Sequence, residues 1–515
     1  MKKLPIGIQT FSKIIEGNRV YVDKTQMAFD LIQNGEYYFL SRPRRFGKSL
    51  FLDTLKEIFE GNNKALFKGL YIYDKWDWND KYPVLRVSLG AGVINNVDGL
   101  NDRLRWILED AQRDLKINCK SDNAVKCFKH LILAAYEKYN KKVVILIDEY
   151  DKPILDNITD SKVARKMRDE MKNFYAVIKD ADAYIRFVFI TGVSKFSKMN
   201  LFSGLNNLED ITLNANYGDI CGYTHHDLLT VFKERMQGAD MEKVRLWYNG
   251  YNYFGEKVYN PFDILLFISN NFKFRNYWWS TGNPSFLIDI LETKNYFIPN
   301  LEHFIATDEI LDSFDVDKME LVALLWQTGY LTIKEELQTI FGVKYKLGSP
   351  NIEIQTSLNS LFITYLTGQV SEKLSHQESI LNMLLSGDLD GLKDAFYTLF
   401  AAIPYSNFTN NKLPEYEGYY ASVIYAYLAS LGMTVIPEDI TNLGRIDFTM
   451  IHEEKVFIFE FKLSEKATGN ALKQIKEKRY YEKYQNHNNI YLIGIEFSAQ
   501  ERNIIGYEWE KLVVE

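Results

Sequence analysis

The chain carries two groups of polar residues whose types and spacing suit chemistry on phosphate groups. The first ends in Gly47-Lys48-Ser49, between an apolar stretch and a helical pattern. Glycine lets the backbone approach a nucleotide closely, lysine can reach the outer phosphates, and the serine hydroxyl can bind a magnesium ion. Backbone N–H groups and the helix dipole also favour an anion at a helix start. This pattern predicts a phosphate-binding loop.

Arg42 departs from the usual form of such a loop, which has a glycine five residues before Gly47. The alternative is a chance Gly-Lys-Ser in a surface turn, because the tripeptide alone is common. The position between a predicted strand and a predicted helix favours phosphate binding.

Polar residues follow two further apolar stretches, at 143–147 and 185–190. We expect Asp148 to hold magnesium through water and Glu149 to polarise the attacking water. Thr191 is the first candidate for sensing the terminal phosphate, followed by Ser194 and Lys195. The carboxyl ends of parallel strands meet at one edge of a sheet, so these residues should lie near the loop. The predicted nucleotide-binding residues are Arg44, Arg45, Phe46, Gly47, Lys48, Ser49, Asp148 and Thr191.

The second group consists of Asp447, Glu460 and Lys462, in two segments that alternate apolar and polar residues. A four-residue turn at 452–455 would close them into a hairpin with Asp447 opposite Glu460. Opposed side chains have Cβ atoms about 4.5–5.5 Å apart, which is close enough to share one metal ion.

A magnesium ion would neutralise these opposed carboxylates and activate water. Lys462 lies on the same face and would position the nucleophile or stabilise the developing charge. The alternative is a charged, solvated hairpin face, since Glu-x-Lys alone is frequent. The expected metal ligands in the two groups are Ser49, Asp148, Asp447 and Glu460, and the expected catalytic residues are Glu149, Asp447, Glu460 and Lys462.

The elements that must hold the first group alternate between strands and helices, which predicts a parallel α/β sheet. A strand at 84–89 precedes a long helical stretch over 96–139. The middle of the chain is mainly helical, and segments 329–333 and 343–347 could pair as a hairpin between helices. That order predicts a winged-helix-like region, whose contact with DNA the sequence leaves open.

Composition excludes several classes of protein. The 46% hydrophobic and 25% charged content of the 515 residues is that of a globular protein. The net charge of −7 argues against a protein that coats DNA, although a local basic cleft is compatible with it. No apolar run reaches the roughly 20 residues of a membrane span, and no signal segment follows the start, so we expect a cytoplasmic protein with no membrane partner. Three cysteines without a C-x-x-C pair argue against structural zinc or a disulfide framework.

The chain resembles the AAA-ATPase-like proteins joined to a PD-(D/E)xK nuclease-like domain that occur in anaerobic bacteria. The resemblance covers almost the whole chain. It rests on the loop at 42–49 and on these further motifs: Leu4-Pro5-Ile6-Gly7, Tyr21-Val22-Asp23-Lys24-Thr25, Ile147-Asp148-Glu149-Tyr150-Asp151, Trp247-Tyr248-Asn249-Gly250-Tyr251, Tyr259-Asn260-Pro261-Phe262 and Tyr277-Trp278-Trp279-Ser280-Thr281-Gly282.

The resemblance implies that Arg42 belongs to the group's own loop variant and that the ATPase is close to archaeal-type and STAND-like switches. Asp447, Glu460 and Lys462 are similar to the nuclease signature. Glu417 matches its additional metal-binding carboxylate, and Gln474 and Tyr480 match its auxiliary polar positions.

The expected fold is α/β in three parts. Residues 1–215 would form a P-loop ATPase core with a parallel sheet, 216–370 a helical and winged-helix-like region, and 371–515 a restriction-endonuclease-like α/β domain. The lysines and arginines of a helix predicted over 467–484 could contact nucleic acid phosphates, or could simply be solvated.

The leading hypothesis is an ATP- and magnesium-dependent enzyme whose nucleotide state controls a nuclease acting on nucleic acid, with DNA favoured. A STAND-like switch whose C-terminal domain only binds nucleic acid or a protein is the alternative. The third is an ATP-binding protein without turnover, suggested by Arg42. The strandedness of the substrate, homo-oligomerisation and the identity of an arginine acting across a subunit boundary stay open, and Arg44, Arg45 and Arg186 are the candidates for that arginine.

Overall fold

The computed structural model describes residues 1–119, 121–195, 202, 207–281, 287, 298–302, 304–312, 320–340, 342–404 and 417–513. These residues fall into two compact units. Unit 1 lies within Met1–Phe286 and Ile305–Asn351, and unit 2 within Leu287–Phe304 and Ile352–Glu515. The three-part division expected from the sequence stays a prediction.

Unit 1 is built on a five-stranded parallel sheet, as predicted. The strand order is β2-β3-β4-β1-β5, so the strand before the loop lies between β4 and β5. The strands are β1 (Tyr37–Ser41), β2 (Val84–Ser88), β3 (Val143–Asp148), β4 (Ile185–Gly192) and β5 (Glu209–Asp210). All residues of β1 and β3 are buried, which explains their unbroken apolar runs.

Unit 1 has ten α-helices before its three-stranded sheet among the described residues, and α3, α4 and α5 contact the strands of the parallel sheet. Their bounds are α1 Phe11–Glu16, α2 Thr25–Asn34, α3 Lys48–Glu60, α4 Val97–Leu115, α5 Ala124–Tyr139, α6 Lys152–Leu155, α7 Ser161–Asp180, α8 His225–Thr230, α9 Met241–Tyr248 and α10 Pro261–Ser269. The apolar face predicted for α3, which includes Leu52, Leu55 and Ile58, is fully buried.

The single helical stretch predicted over 96–139 was wrong, because two helices occupy it. Lys116 ends α4 in a left-handed conformation, and the Asn123 side chain accepts a hydrogen bond from the Lys126 backbone N–H and so caps α5. The asparagine is a start signal that the apolar pattern alone did not reveal.

A three-stranded antiparallel sheet, order β8-β10-β9, completes unit 1. The strands are β8 (Ile305–Thr307), β9 (Thr332–Thr339) and β10 (Gly342–Gly348), and α11 (Asp308–Asp312) and α12 (Leu321–Thr328) precede the β9–β10 hairpin. The hairpin was predicted, but its first strand starts later than expected, because Gly329 ends α12 in a left-handed conformation. A short pair, β6 (Tyr223–Thr224) with β7 (Val258–Tyr259), precedes these elements.

Unit 2 combines a helical group with a mixed five-stranded sheet of order β11-β12-β13-β14-β15. Only β13 and β14 run parallel, and the other neighbours are antiparallel. The elements are α13 Ile352–Thr367, α14 Lys373–Ser386, α15 Leu389–Ala401, α16 Glu417–Ser430, β11 Thr434–Ile440, β12 Arg445–His452, β13 Lys455–Leu463, α17 Asn470–Glu477, β14 Asn489–Ser498 and β15 Asn503–Val513. The predicted C-terminal α/β domain is therefore confirmed.

Both faces of the hairpin β12–β13 are covered, and not only one as the alternation suggested. Val456 and Ile458 lie on the same face as Glu460 and pack against Ile475 of α17. Ile446, expected on the opposite face, belongs to this same cluster. The covering helix thus buries apolar residues beside the polar ones.

The helix predicted over 467–484 is interrupted. Arg479 has a φ of 47°, and a 3₁₀ turn, Tyr480–Tyr484, follows it. None of the described helices combines the length and the apolar character that crossing a lipid bilayer requires.

Candidate nucleotide and nuclease sites

The phosphate loop connects the end of β1 to the first residue of α3, which is Lys48. Gly47 has a φ of 98°, a conformation that favours glycine and lets the chain turn into the helix. Arg45, with a φ of 67°, is a second left-handed position. The predicted order of strand, loop and helix is therefore present.

Lys48 points back into its own loop. Its Nζ donates to the carbonyl oxygens of Arg42 and Pro43, both at 2.9 Å, and its side chain is buried. Burial lowers the pKa of Lys48, and the charge of Asp148 acts in the opposite direction. The predicted lysine and aspartate thus interact electrostatically.

A cavity of about 410 Å³ lies over this loop. Six of the predicted residues line it, namely Arg44, Arg45, Gly47, Lys48, Ser49 and Glu149. Its volume is within the range of pockets that hold small ligands such as nucleotides.

Three other predicted nucleotide-binding residues do not line the cavity. Asp148 and Thr191 are buried at strand ends, and Asp148 Oδ1 and Thr191 Oγ1 have no hydrogen-bond partner among the described residues. Buried polar atoms are normally hydrogen-bonded, so Asp148 is suited to bind a hydrated cation. Phe46 is buried with its ring 4.7 Å from that of Tyr251, so the structure gives its side chain a packing contact.

Glu149 directly follows β3 and has a φ of 54°, which is uncommon for a residue other than glycine. This conformation brings its carboxylate against Gly90, where an added Cβ atom would lie 2.9 Å from Glu149 Oε2. Burial, followed by the charge of Asp148, raises the pKa of Glu149. A carboxylate with a raised pKa beside the cavity is suited to accept a proton from water.

Asp151 is a residue of this site that the sequence reasoning missed. It lines the cavity, is 1% exposed, and accepts hydrogen bonds from Val193 N (3.1 Å), Ser194 N (2.7 Å) and Ser194 Oγ (2.6 Å). It therefore joins the end of β3 to the segment after β4. The motif Asp-Glu-Tyr-Asp contained this signal, since a third carboxylate follows Asp148 and Glu149 at position 151.

The start of the predicted ATPase core and the segment after its end supply other parts of the site. Pro261 and Phe262 line the cavity, as does Pro5 near the start of the chain. The carbonyl oxygen of Arg44 accepts hydrogen bonds from Trp278 Nε1 (3.1 Å) and from Asn260 Nδ2 (3.4 Å). Two motifs of the family resemblance, those containing Asn260 and Trp278, thus hold the loop.

In unit 2, the β12–β13 hairpin has the predicted register, with Ile451 opposite Val456 and Phe448 opposite Phe459. Beyond that pair the ladder opens, and Asp447 Oδ2 accepts the backbone N–H of Phe461 at 2.8 Å. Asp447 therefore lies beside Glu460.

Glu417 and Lys462 complete this cluster. Glu417 is the first residue of α16, and its Oε2 accepts the backbone N–H of Leu463 at 3.0 Å. Lys462 Nζ donates to Glu460 Oε1 at 2.9 Å. The structure thus brings Glu417, Asp447, Glu460 and Lys462 together at the end of β13.

The two auxiliary residues contact the cluster as the resemblance implied. Gln474 Nε2, on α17, donates to Glu460 Oε1 and lies 3.5 Å from the hydroxyl of Tyr480. That hydroxyl donates to the Arg445 carbonyl at 2.9 Å. Both contacts support the position of Glu460 and the start of β12.

Electrostatics distinguish these carboxylates from ordinary surface acids. Burial and the charge of Asp447 raise the pKa of Glu460 to about 7, and burial also raises the pKa of Asp447. Burial lowers the pKa of Lys462, but its hydrogen bond to Glu460 and the charges of Asp447 and Glu417 outweigh this and raise it. The positive charge of Lys462 therefore does not offset the effect of burial on the two carboxyl groups.

The carboxylate oxygens of this cluster are the atoms that could bind a metal ion. Glu460 Oε2 is buried without a hydrogen-bond partner, and the carboxylate of Asp447 is adjacent, so two oxygen donors suit a magnesium-sized cation. Among the described residues, however, no three Asp, Glu, His or Cys side chains are arranged as a complete metal site. Glu417, the third expected ligand, is hydrogen-bonded to the backbone of Leu463.

Several basic residues expected to contact phosphates are already paired. Lys476 Nζ is 2.6 Å from Glu510 Oε2, and Lys473 Nζ is 3.8 Å from Glu477 Oε1. Both lysines are more than half exposed, so these ion pairs are weak. An anionic ligand can therefore compete for them.

Comparisons with known proteins agree with this division of sites. A family model described as a predicted AAA-ATPase matches residues 5–202, and one described as the PD-(D/E)XK nuclease superfamily matches residues 415–507. A relative from Azotobacter chroococcum mcd 1, named "Uncharacterized protein in vnfD 5'region", is 46% identical over 514 residues, or 99% of each chain. No solved structure matches the chain. The resemblance inferred from the sequence is confirmed: the chain belongs to the same family as this relative and joins a predicted AAA-ATPase domain to a PD-(D/E)XK nuclease superfamily domain.

Proposed function

We propose that the chain binds and hydrolyses ATP and that its nucleotide state controls a magnesium-dependent nuclease acting on nucleic acid, with DNA as the favoured substrate. The proposal assigns nucleotide binding to unit 1 and phosphodiester hydrolysis to unit 2. We also propose that the protein acts in the cytoplasm.

The roles in ATP hydrolysis follow from charge and position. Lys48 would leave the carbonyl groups of its loop and bind the outer phosphates, while Arg44 and Arg45 line the same cavity. Glu149 would accept a proton from the attacking water. Ser49 and Asp148 would hold the magnesium ion, which supplies positive charge to the phosphates. Thr191, although outside the cavity lining, remains the proposed sensor at the end of β4.

The roles in nucleic acid hydrolysis rest on the cluster at the end of β13. Asp447 and Glu460 would hold a magnesium ion, which would lower the pKa of a bound water and neutralise charge on the phosphate. Lys462 would stabilise the negative charge that develops on the attacked phosphate group. Gln474 would keep Glu460 oriented through its hydrogen bond, and Glu417 is the proposed additional carboxylate.

The observation that carries the nuclease proposal is the buried Glu460 with one unpartnered oxygen beside Asp447. Two carboxylates held together in a buried site cannot both ionise without cost, so one of them keeps a proton unless a cation is bound there. A hairpin with a purely structural role would not require two adjacent buried carboxylates.

Cleavage of DNA and RNA by the full chain, with and without Mg²⁺, tests this assignment. Glu460→Ala should abolish divalent-dependent cleavage, whereas Glu454→Ala, in the exposed turn of the same hairpin, should leave it intact. Full cleavage by Glu460→Ala would remove the assignment.

The alternative, a STAND-like switch whose unit 2 only binds nucleic acid or a protein, is favoured by two observations. Among the described residues the acids do not form a three-ligand metal site, and Lys462 and Gln474 both donate to Glu460 Oε1. Tight binding of DNA without cleavage in Mg²⁺ or Mn²⁺ would support this alternative over the nuclease.

A further inference from the structure

Arg42, which replaces the usual first glycine of the phosphate loop, is the largest fully buried side chain of the described residues. A long cationic side chain is rarely buried completely without a specific reason. Its backbone N–H donates to the Gly192 carbonyl at 3.2 Å, which extends the pairing of β1 with β4. The guanidinium itself lies beneath the loop, inside unit 1.

Four carbonyl oxygens accept hydrogen bonds from this guanidinium. Nη1 donates to Ser41 and Thr212, both at 2.9 Å, and Nη2 donates to Tyr217 at 3.2 Å and Gly218 at 3.3 Å. Three of the acceptors belong to residues 212–218, a segment far from the loop in sequence. Arg42 thereby fixes the end of β1 to that segment.

Among the described residues, no acid bonds directly to Arg42 and cancels its charge. All four acceptors are neutral, and the face of the guanidinium lies 3.7 Å from the centre of the Tyr253 ring. Asp210 and Asp219 act on it only through longer-range electrostatics. A buried cation that is surrounded by neutral groups stabilises an anion that binds nearby.

We infer that Arg42 is a positioning residue for the nucleotide's phosphates: it fixes the loop backbone from which Lys48 would reach them, and it adds a buried positive charge beneath the loop. Lys48 Nζ donates to the carbonyl of Arg42 itself and to that of Pro43. Movement of Arg42 would therefore move the lysine. The inference rests on the proposed binding of ATP, and it explains why an arginine is compatible with a phosphate loop.

Binding of ATP and of AMP to the full chain, measured by calorimetry, tests the inference. Arg42→Met removes both the charge and the hydrogen bonds, so the affinity for ATP should fall about tenfold or more, as expected for the loss of charge-assisted contacts. The affinity for AMP, which lacks the outer phosphates, should change much less. Arg103→Met is the matched control, because Arg103 also lies over an aromatic ring, that of Trp106 on α4, and it should leave both affinities unchanged.

A merely structural role for Arg42 would lower the melting temperature and reduce both affinities by the same factor, and that outcome would overturn the inference. If Arg42→Met does not fold, Arg42→Lys takes its place. Lysine retains the charge but cannot bond all four carbonyl groups, so ATP affinity should fall by a smaller factor, and an unchanged affinity would reject the role. Absence of ATP binding by the unsubstituted chain would instead overturn both the nucleotide site and the role of Arg42.

Discussion

Replacing Glu460 with glutamine should change how the stability of the chain depends on pH. Burial and the charge of Asp447 raise the pKa of Glu460 from 4.5 to about 7. In the folded chain this carboxyl holds its proton at pH values where the unfolded chain has lost it. Its contribution to stability is therefore fully present below pH 4.5 and is lost as the pH rises through 7.

The size of the effect follows from the shift. Each pKa unit corresponds to about 1.4 kcal/mol, so ionising Glu460 should cost up to about 3 kcal/mol of folding free energy. Glu460 is only 1% exposed, so solvent screens this cost little. The raised pKa of Asp447 acts in the same direction. Glutamine cannot ionise, and so the variant should become progressively more stable than the unsubstituted chain as the pH rises.

Calorimetric melting of the full chain between pH 4.5 and 8, without divalent ions, measures this difference. Glu454→Gln, which changes an exposed residue of the same hairpin, should follow the unsubstituted chain at every pH. Added Mg²⁺ should stabilise the unsubstituted chain most at high pH, where both acids are ionised. The same pH dependence in Glu460→Gln and in the unsubstituted chain would refute the electrostatic reasoning.

Three further changes test individual contacts. Glu149→Gln should lower ATP turnover at least about 100-fold, because it removes the proposed base, while ATP binding persists; phosphate release and calorimetry measure the two effects. Asp151→Asn should reduce the free energy of unfolding by about 2 kcal/mol, because an amide N–H would face donors of Ser194; urea denaturation measures it. Lys462→Met should abolish cleavage and raise the pKa of Glu460 further, since Lys462 lowers it; NMR titration reports that pKa.

Each of these has a result that contradicts it. Unchanged phosphate release in Glu149→Gln would favour ATP binding without turnover. Asp169→Asn, at an exposed position on α7, is the control for Asp151→Asn, and equal stability of the two variants would show that the Asp151 contacts contribute nothing. If Lys462→Met left the pKa of Glu460 unchanged, the Lys462 side chain would not influence the ionisation of Glu460.

The hairpin of the C-terminal site could be predicted from sequence because two constraints coincide. Alternation with a period of two fixes which side chains share a face, and a short turn fixes the register. Together they place Asp447 opposite Glu460, whereas in the structure the pairing ends at Phe448 and Phe459 and the Asp447 carboxylate accepts the backbone N–H of Phe461, next to Glu460. Neither constraint reports what covers the sheet, so the apolar packing of Val456 and Ile458 under α17 could not be foreseen.

The loop could be predicted because strand, glycine and helix are local signals, whereas its surroundings are not. Pro261 and Trp278 reach the loop through tertiary packing, which no spacing in the sequence encodes. Arg42 was noticed as a departure from the usual pattern, but its partners at 212–218 are likewise distant in sequence. The break at Arg479 shows that a continuous polar pattern does not exclude an interruption of a helix.

The central claim is that one chain uses ATP in unit 1 to control hydrolysis in unit 2, and the rate of nucleic acid cleavage at fixed Mg²⁺ with and without ATP tests it most directly. We predict that ATP changes the rate for the unsubstituted chain and that Lys48→Ala cleaves at a rate that ATP does not affect. Glu460→Ala should not cleave under either condition. An ATP effect that persists in Lys48→Ala, or cleavage that survives in Glu460→Ala, would contradict the account.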